Sequence, residues 1–465
     1  MIAPEKVEQL RSFLSRLTPP MAARLAQAIE VDRLSEGSAL PHDLILQGLR
    51  PLLRQAETAR TATPLRLFSR PFEDLLVSGP RAQKQAGRIV RGSVSVVWEW
   101  LGTRLVPDAL AAYVEAVKAA VVAREPEGAM DHAVQFWSVA SAAILEVLAD
   151  EAGRTAAREA LRDDAVVDDA REMALLLAIG PEVVDIQSAV ERPTPALDED
   201  VLDKLCDICS RVMEKASDSG PYVAVVVMNR LERPWEALKL PLVLSHTTRD
   251  TLIASTDMGL VGELILGDIE SHLAVIRSMR QPDFDAEALV SAVAGFAELS
   301  LGMVKEVELR RDGKWGQRLM KARAAVAEIM DGFMERGARE ILAALPTQRT
   351  GFTGGPRVPD LRHALTEEKH ARALAYARLI VGCRPFAAAA SFGASHKSAS
   401  DELIAALGRY NEDLLRELRA AEDDRRAVAE TYFDLAAELT ALLMSPEEGE
   451  LLRRRGRAAM TPEAA

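Results

Sequence analysis

The apolar residues Val326, Ile329, Met330, Phe333, Met334, Ile341 and Leu345 fall on the three- and four-residue steps of one helix face, and Pro346 follows them. Side chains three and four apart lie above one another on a helix, so this spacing predicts a long amphipathic helix that the proline ends. Composition extends the expectation to the whole chain. Aromatic residues are only 5% of 465 positions while hydrophobic residues are 48%. Ala and unbranched side chains lose little rotamer freedom in a helix, whereas sheets draw on aromatic and β-branched residues. The expected fold class is all-α, as a multi-helical bundle or helical array. The length exceeds the usual ceiling for one hydrophobic core and predicts several domains.

One stretch opposes an all-helical reading. After Gly220-Pro221, the run Val223, Val225, Val226 and Val227 is short and rich in β-branched residues. A buried strand has this composition, and so does a helix buried on every side. Pro241–Leu244 and Thr251–Ser255 carry the same ambiguity, so a small β element around 221–256 is the alternative expectation.

Punctuation suggests the organisation. Glu191-Arg192-Pro193-Thr194-Pro195 separates an N-terminal helical region, 1–190, from a central helical domain, 196–346, whose first helix has the acidic start Asp198-Glu199-Asp200. The glycine- and proline-rich segment 347–359 reads as a linker to a C-terminal helical bundle or coiled-coil region, 360–445, with 446–465 as a flexible tail. The Gly351–Pro356 loop lacks the lysine and following Ser or Thr of a phosphate-binding loop, since Arg357-Val358-Pro359 comes next.

The chain shows no basic-then-apolar signal peptide at its start and no run approaching the roughly 20 apolar residues of a membrane span. Three cysteines fit a reducing compartment, so the expectation is cytoplasmic, without integral membrane association. Cys206-Asp207-Ile208-Cys209 has redox or zinc spacing but no second pair, and Cys209 falls on an apolar helix face with Leu202, Leu205, Val212 and Met213.

Asp360, His363, Glu367 and His370 stand at steps of three, four and three, which would place them on one helix face. Glu367 with His370 has the Glu-x-x-His spacing of helical carboxylate metal sites. Such sites need a second copy, and none is present. The expectation is therefore no metal and no cofactor, with these four residues as the metal-dependent alternative and a solvated helix face as the simpler account.

Charge is uneven. Between 50 and 104 ten Arg and Lys face four Asp and Glu, although the whole chain has a net charge of −13. Between 146 and 218 the balance reverses, with nineteen acids and eight bases. Arg66, Arg70, Arg81, Lys84, Arg88 and Arg91, interleaved with Phe68, Phe72, Trp98 and Trp100, are the candidate binding face for an acidic protein partner, arginine being suited to bidentate contact with carboxylate. Mutual neutralisation of the basic and acidic regions is the competing account. Nucleic acid ranks lower, because no recognisable binding module is present.

Finally, Leu407, Leu414, Val428, Leu435 and Leu442 lie on a seven-residue repeat. Such a seam joins helices, either in a homo-oligomer or within one domain. The expectation is a helical interaction, scaffolding or regulatory protein; the competing expectation is an enzyme whose site is assembled between helices, with the Asp360, His363, Glu367 and His370 face as its candidate.

Overall fold

The computed structural model describes residues 10, 13–14, 17–34, 40–42, 45–46, 48–49, 62–79, 84–246, 249–279, 281–349 and 357–460. It forms two compact units, Met1–Glu232 and Arg233–Ala465. The segments 191–195 and 347–359 fall inside these units. The architecture is all-α.

The first unit contains helices α1 (Pro19–Leu34), α2 (Pro64–Ser69), α3 (Arg91–Trp100), α4 (Pro107–Ala123), α5 (Pro126–Val147), α6 (Glu151–Leu161), α7 (Asp164–Ala178), α8 (Gly180–Ala189), α9 (Glu199–Lys215) and α10 (Gly220–Met228). A six-residue 3-10 helix, Arg70–Leu75, leads from α2 into strand β1 (Leu76–Val77), which pairs in parallel with β2 (Ile89–Val90). Prolines open several of these helices because the first helical position needs no amide donor. Asp150, Asp163 and Asp198 cap α6, α7 and α9 by accepting backbone N–H bonds of 2.7–2.8 Å. Phe68, Phe72, Trp98, Tyr113 and Phe136 form an aromatic core. Its polar edges are satisfied: Tyr113 Oη donates to the Pro64 carbonyl at 2.8 Å and Trp137 Nε1 to that of Leu67 at 3.0 Å.

The valine run is helical, which corrects the β alternative. All nine residues of α10 are buried. Pro221 sits in its first turn, and the adjacent Ser219 hydroxyl donates to the Leu175 carbonyl at 2.8 Å. A helix enclosed on every side has no polar face to reveal its period, hence the strand-like composition. The other two ambiguous stretches lie in or overlap α11 (Lys239–Leu244) and α12 (Asp250–Ile253) of the second unit. Among the described residues of 221–256 the β content is confined to two isolated bridges, Thr194 with Leu231 and Arg249 with Glu308.

The second unit continues with α13 (Leu260–Ser278), α14 (Ala286–Glu306), α15 (Lys314–Ala344), an antiparallel pair β3 (Thr347–Arg349) and β4 (Arg357–Pro359), then α16 (Glu367–Cys383), α17 (Gly393–Ala420), α18 (Asp423–Leu443) and α19 (Pro446–Met460). The stripe that opened the argument is the inner face of α15: Val326, Met330, Phe333, Met334 and Ile341 are buried there, and Leu345 is buried just past its end. Truncating Phe333 to Ala would therefore cost about 3–5 kcal/mol. By length and composition α14 is apolar enough to cross a membrane, yet half of its apolar window is buried within the protein. The segment 347–359, expected as a linker, has paired ends, with Thr347 opposite Pro359 and Arg349 opposite Arg357. Residues 350–356 lie outside the described set. Most of the expected flexible tail is helical: α19 packs Gly456 against the Phe433 ring, and Arg455 holds Glu412 in a bidentate pair of 2.7 and 2.9 Å. Residues 461–465 are not described.

Candidate functional site

Of the six basic residues singled out in the sequence, Lys84 turns inward. Its ammonium lies 2.7 Å from Asp169 Oδ1 and 2.7 Å from Glu172 Oε2, and the three side chains are 14%, 0% and 7% exposed. It also donates to the Arg88 carbonyl at 2.7 Å. One turn of α7 separates the two carboxylates, so both face the connection between β1 and β2. That connection, β2 and the start of α3 supply further donors: Gly87 N–H to Glu172 at 2.9 Å, Val90 N–H to Asp169 at 3.2 Å and the Ser93 hydroxyl to Asp169 at 2.5 Å. Burial pushes the Glu172 carboxyl above the usual range and Asp169 adds to the effect, while Lys84 and the Gly87 amide oppose it.

Arg70, Arg88, Arg66 and Arg91 are disposed differently. Arg70 Nε donates to Gln187 Oε1 at 3.3 Å, and Gln187 Nε2 returns a bond to the Arg70 carbonyl at 3.0 Å. Gln187 also donates to Asp74 at 3.2 Å. Buried Asp74 is gripped by Arg230 Nη1 at 2.9 and 3.0 Å and touched by Arg192 at 3.3 Å. Arg88 Nη1 donates to Asn229 Oδ1 at 3.2 Å. Arg66 is half-buried in the last turn of α2, and Arg91 is exposed at the start of α3. Arg81 lies outside the described residues, as do Arg50, Arg54 and Arg60.

For Lys84 the geometry is thus the neutralising one, with a base of the 50–104 segment paired to acids of the 146–218 segment. Asp74, Asp169, Glu172, Gln187 and Arg230 were missing from the candidate set. For Asp169 and Glu172 the opposed charge of the two segments was the signal; Asp74, Gln187 and Arg230 had none.

The metal alternative loses its geometry. Asp360 and His363 precede α16, whose cap is Thr366, accepting from the Lys369 amide at 3.3 Å. The cause is the β3–β4 pair: Asp360 N–H donates to the Pro346 carbonyl at 2.8 Å, holding the chain extended where the helix was expected. The Asp360 carboxylate is clasped by Arg362 at 2.8 and 2.5 Å, which drives it down to about 2. The His363 carbonyl accepts from Tyr432 Oη at 3.2 Å. Glu367 is exposed, and His370 Nε2 lies 3.4 Å from Glu438 Oε2. Among the described residues no group of three or more His, Cys, Asp or Glu is arranged to hold a metal ion. Cys209 and Cys383 are buried free thiols, pushed by burial up to about 11 and about 12, where little thiolate forms near neutrality.

The heptad seam closes on its own chain. Helices α17 and α18 fold back as a hairpin at Ala421-Glu422, both in extended backbone. Leu407, Leu414 and Leu435 are buried there, and Val428 and Leu442 are half-buried.

An outward apolar feature stands at the end of α14. Leu301 and Val304, one turn apart, are 51% and 47% exposed, although the same helix buries Leu299, Met303 and Ser300. On the buried side of the helix Gly302 receives the half-buried Trp235 ring so closely that an added Cβ would lie 2.1 Å from it. Glu298 and Lys305 are exposed beside them. Paired exposed aliphatics on a helix whose other side is buried offer the kind of apolar surface that a protein partner covers. No protein-family model matches this chain, and no curated protein or solved structure matches it.

Proposed function

We propose that this protein is a cytoplasmic helical interaction component, working as a scaffold or regulator rather than through catalysis. The observation that carries this reading is the outward pair Leu301 and Val304 on α14. Water contact with large apolar groups is unfavourable by about 25 cal/mol for each Å², so a partner that covers them gains directly. Their place on α14, backed by a buried face, lets them act without a conformational change. A protein partner fits such a surface better than a nucleic acid. Exposed Arg91 remains by itself a candidate for contact with an acidic protein, whereas Lys84 is committed inside the first unit.

The test is site-specific photo-crosslinking in the native cell, with the crosslinker at position 301 and, as a control, at the exposed Glu328 on α15. Discrete adducts confined to position 301, and lost when Val304 is changed to Asp, are expected. Equal labelling from both positions, or none from either, would remove the observation on which the proposal stands.

A further inference from the structure

The cluster on α7 holds three charged side chains, one positive and two negative, all largely removed from water. Its other neighbours are neutral donors: the Ser93 hydroxyl from α3, the Gly87 and Val90 amides, and the Tyr222 hydroxyl from α10 within hydrogen-bonding reach of Glu172. Arg171, on the same helix, is exposed, and the Arg88 guanidinium is directed to Asn229. Among the described residues in these contacts the cluster therefore counts two negative charges against one positive while both carboxylates are ionised. Among the described residues the polar contacts from the strap 84–90 to α7 end on those two carboxylates, beside the buried side chain of Ile89.

We propose that the strap 84–90 is a proton-sensitive latch on α7, more firmly closed when Glu172 carries a proton than when it is ionised. Proton uptake by Glu172 leaves Lys84 and Asp169 as a neutral pair and removes the unbalanced charge from the interior. Burial, which raises the proton affinity of Glu172, acts only in the closed form. Opening returns water to the carboxylate and with it the ordinary glutamate affinity. Closure is thus linked to proton binding, and the closed form loses ground as pH rises through the raised Glu172 value. The inference stands on the α7 cluster alone and is independent of the α14 surface.

The test uses the full chain. Hydrogen exchange of peptides spanning 84–90 is followed by mass spectrometry from about pH 5 to about pH 8, corrected for the intrinsic rate, under conditions where exchange reports the opening equilibrium. In the native sequence the opening equilibrium should grow by roughly tenfold for each unit by which Glu172 is raised. Glu172→Gln, which keeps the shape but not the charge, should hold the protected level throughout. Equal pH dependence in the two proteins would overturn the latch. If Glu172→Gln does not fold, the carboxyl resonance of Glu172 in the native chain decides: a midpoint above ordinary glutamate supports the proposal, and an ordinary midpoint overturns it.

Discussion

Asn411 and Thr440, 29 positions apart, meet inside the α17–α18 hairpin, where Asn411 Nδ2 donates to Thr440 Oγ1 at 2.9 Å. Thr440 Oγ1 donates in turn to the Ala436 carbonyl at 2.7 Å. Leu414 and Leu435 lie on the same two helices, fully buried. A slip of the hairpin would strand both polar groups among leucines, so the pair fixes the register as well as joining the helices. Thr440→Val removes the acceptor and leaves the Asn411 amide buried, which should cost about 1–3 kcal/mol in denaturant unfolding. Asn411→Leu combined with Thr440→Val should recover most of that loss. A double variant as unstable as the sum of its parts would show that the hydrogen bond is not what couples the two positions.

Because the seam is buried within the chain, Leu414→Asp together with Leu435→Asp should unfold the C-terminal hairpin. Each change places a carboxylate in a leucine environment, a penalty of several kcal/mol or more. Circular dichroism should show lost helix, and limited proteolysis should open near 421. Retained helicity with a smaller mass in sedimentation would mean instead that the seam joins two chains.

The legible parts of this fold were those where one helix face meets water. The stripe from Val326 to Leu345 was readable because α15 has a polar side to define its period. Helix α10 has no such side, so its valines looked equally like a strand. The heptads from Leu407 to Leu442 announced a helix pair but not whether the partner lay in the same chain, because packing chemistry is identical in both cases. The face proposed for Asp360 and His363 failed for a long-range reason, the β3–β4 pairing, which leaves no periodic trace near residue 360. Likewise Asp74 and Arg230 are 156 positions apart, and nothing local foretells their contact.

Glu263 makes the pH response of the second unit opposite in sign to that of the α7 cluster. Burial would raise its carboxyl, but bonds from Trp315, Lys314 and Arg318 outweigh burial and hold it below the ordinary glutamate value. A depressed folded value contributes stability that is present above the unfolded pKa and lost as pH falls through the folded one. Glu263→Gln should therefore lower stability by about 1 kcal/mol near neutrality, after solvent screening at this half-exposed position. The difference should shrink as the solution is acidified below the ordinary glutamate value. A gap between the two proteins that is constant across this range in thermal melts would show that Trp315 and its neighbours stabilise the fold without regard to the Glu263 charge.

The basic segment offers the sharpest contrast between a cation that holds the fold and one left at the surface. Lys84→Met keeps the length and apolar stem of the side chain while leaving Asp169 and Glu172 facing each other without a cation. Removing one partner from a buried ionic group typically costs about 3–5 kcal/mol, since the remaining charge stays desolvated. Arg91 is exposed at the start of α3, and Arg91→Glu should change stability by no more than about 0.5 kcal/mol. Unfolding in urea followed by exchange in the 84–90 peptides separates the two effects, because the Lys84 variant should lose protection there before the second unit unfolds. Raising the salt concentration should leave the Lys84 contribution nearly unchanged, as a pair shielded from water is poorly screened. If Lys84→Met were as mild as Arg91→Glu, the α7 cluster would not be holding the strap, and Lys84 would again be a candidate for the docking face.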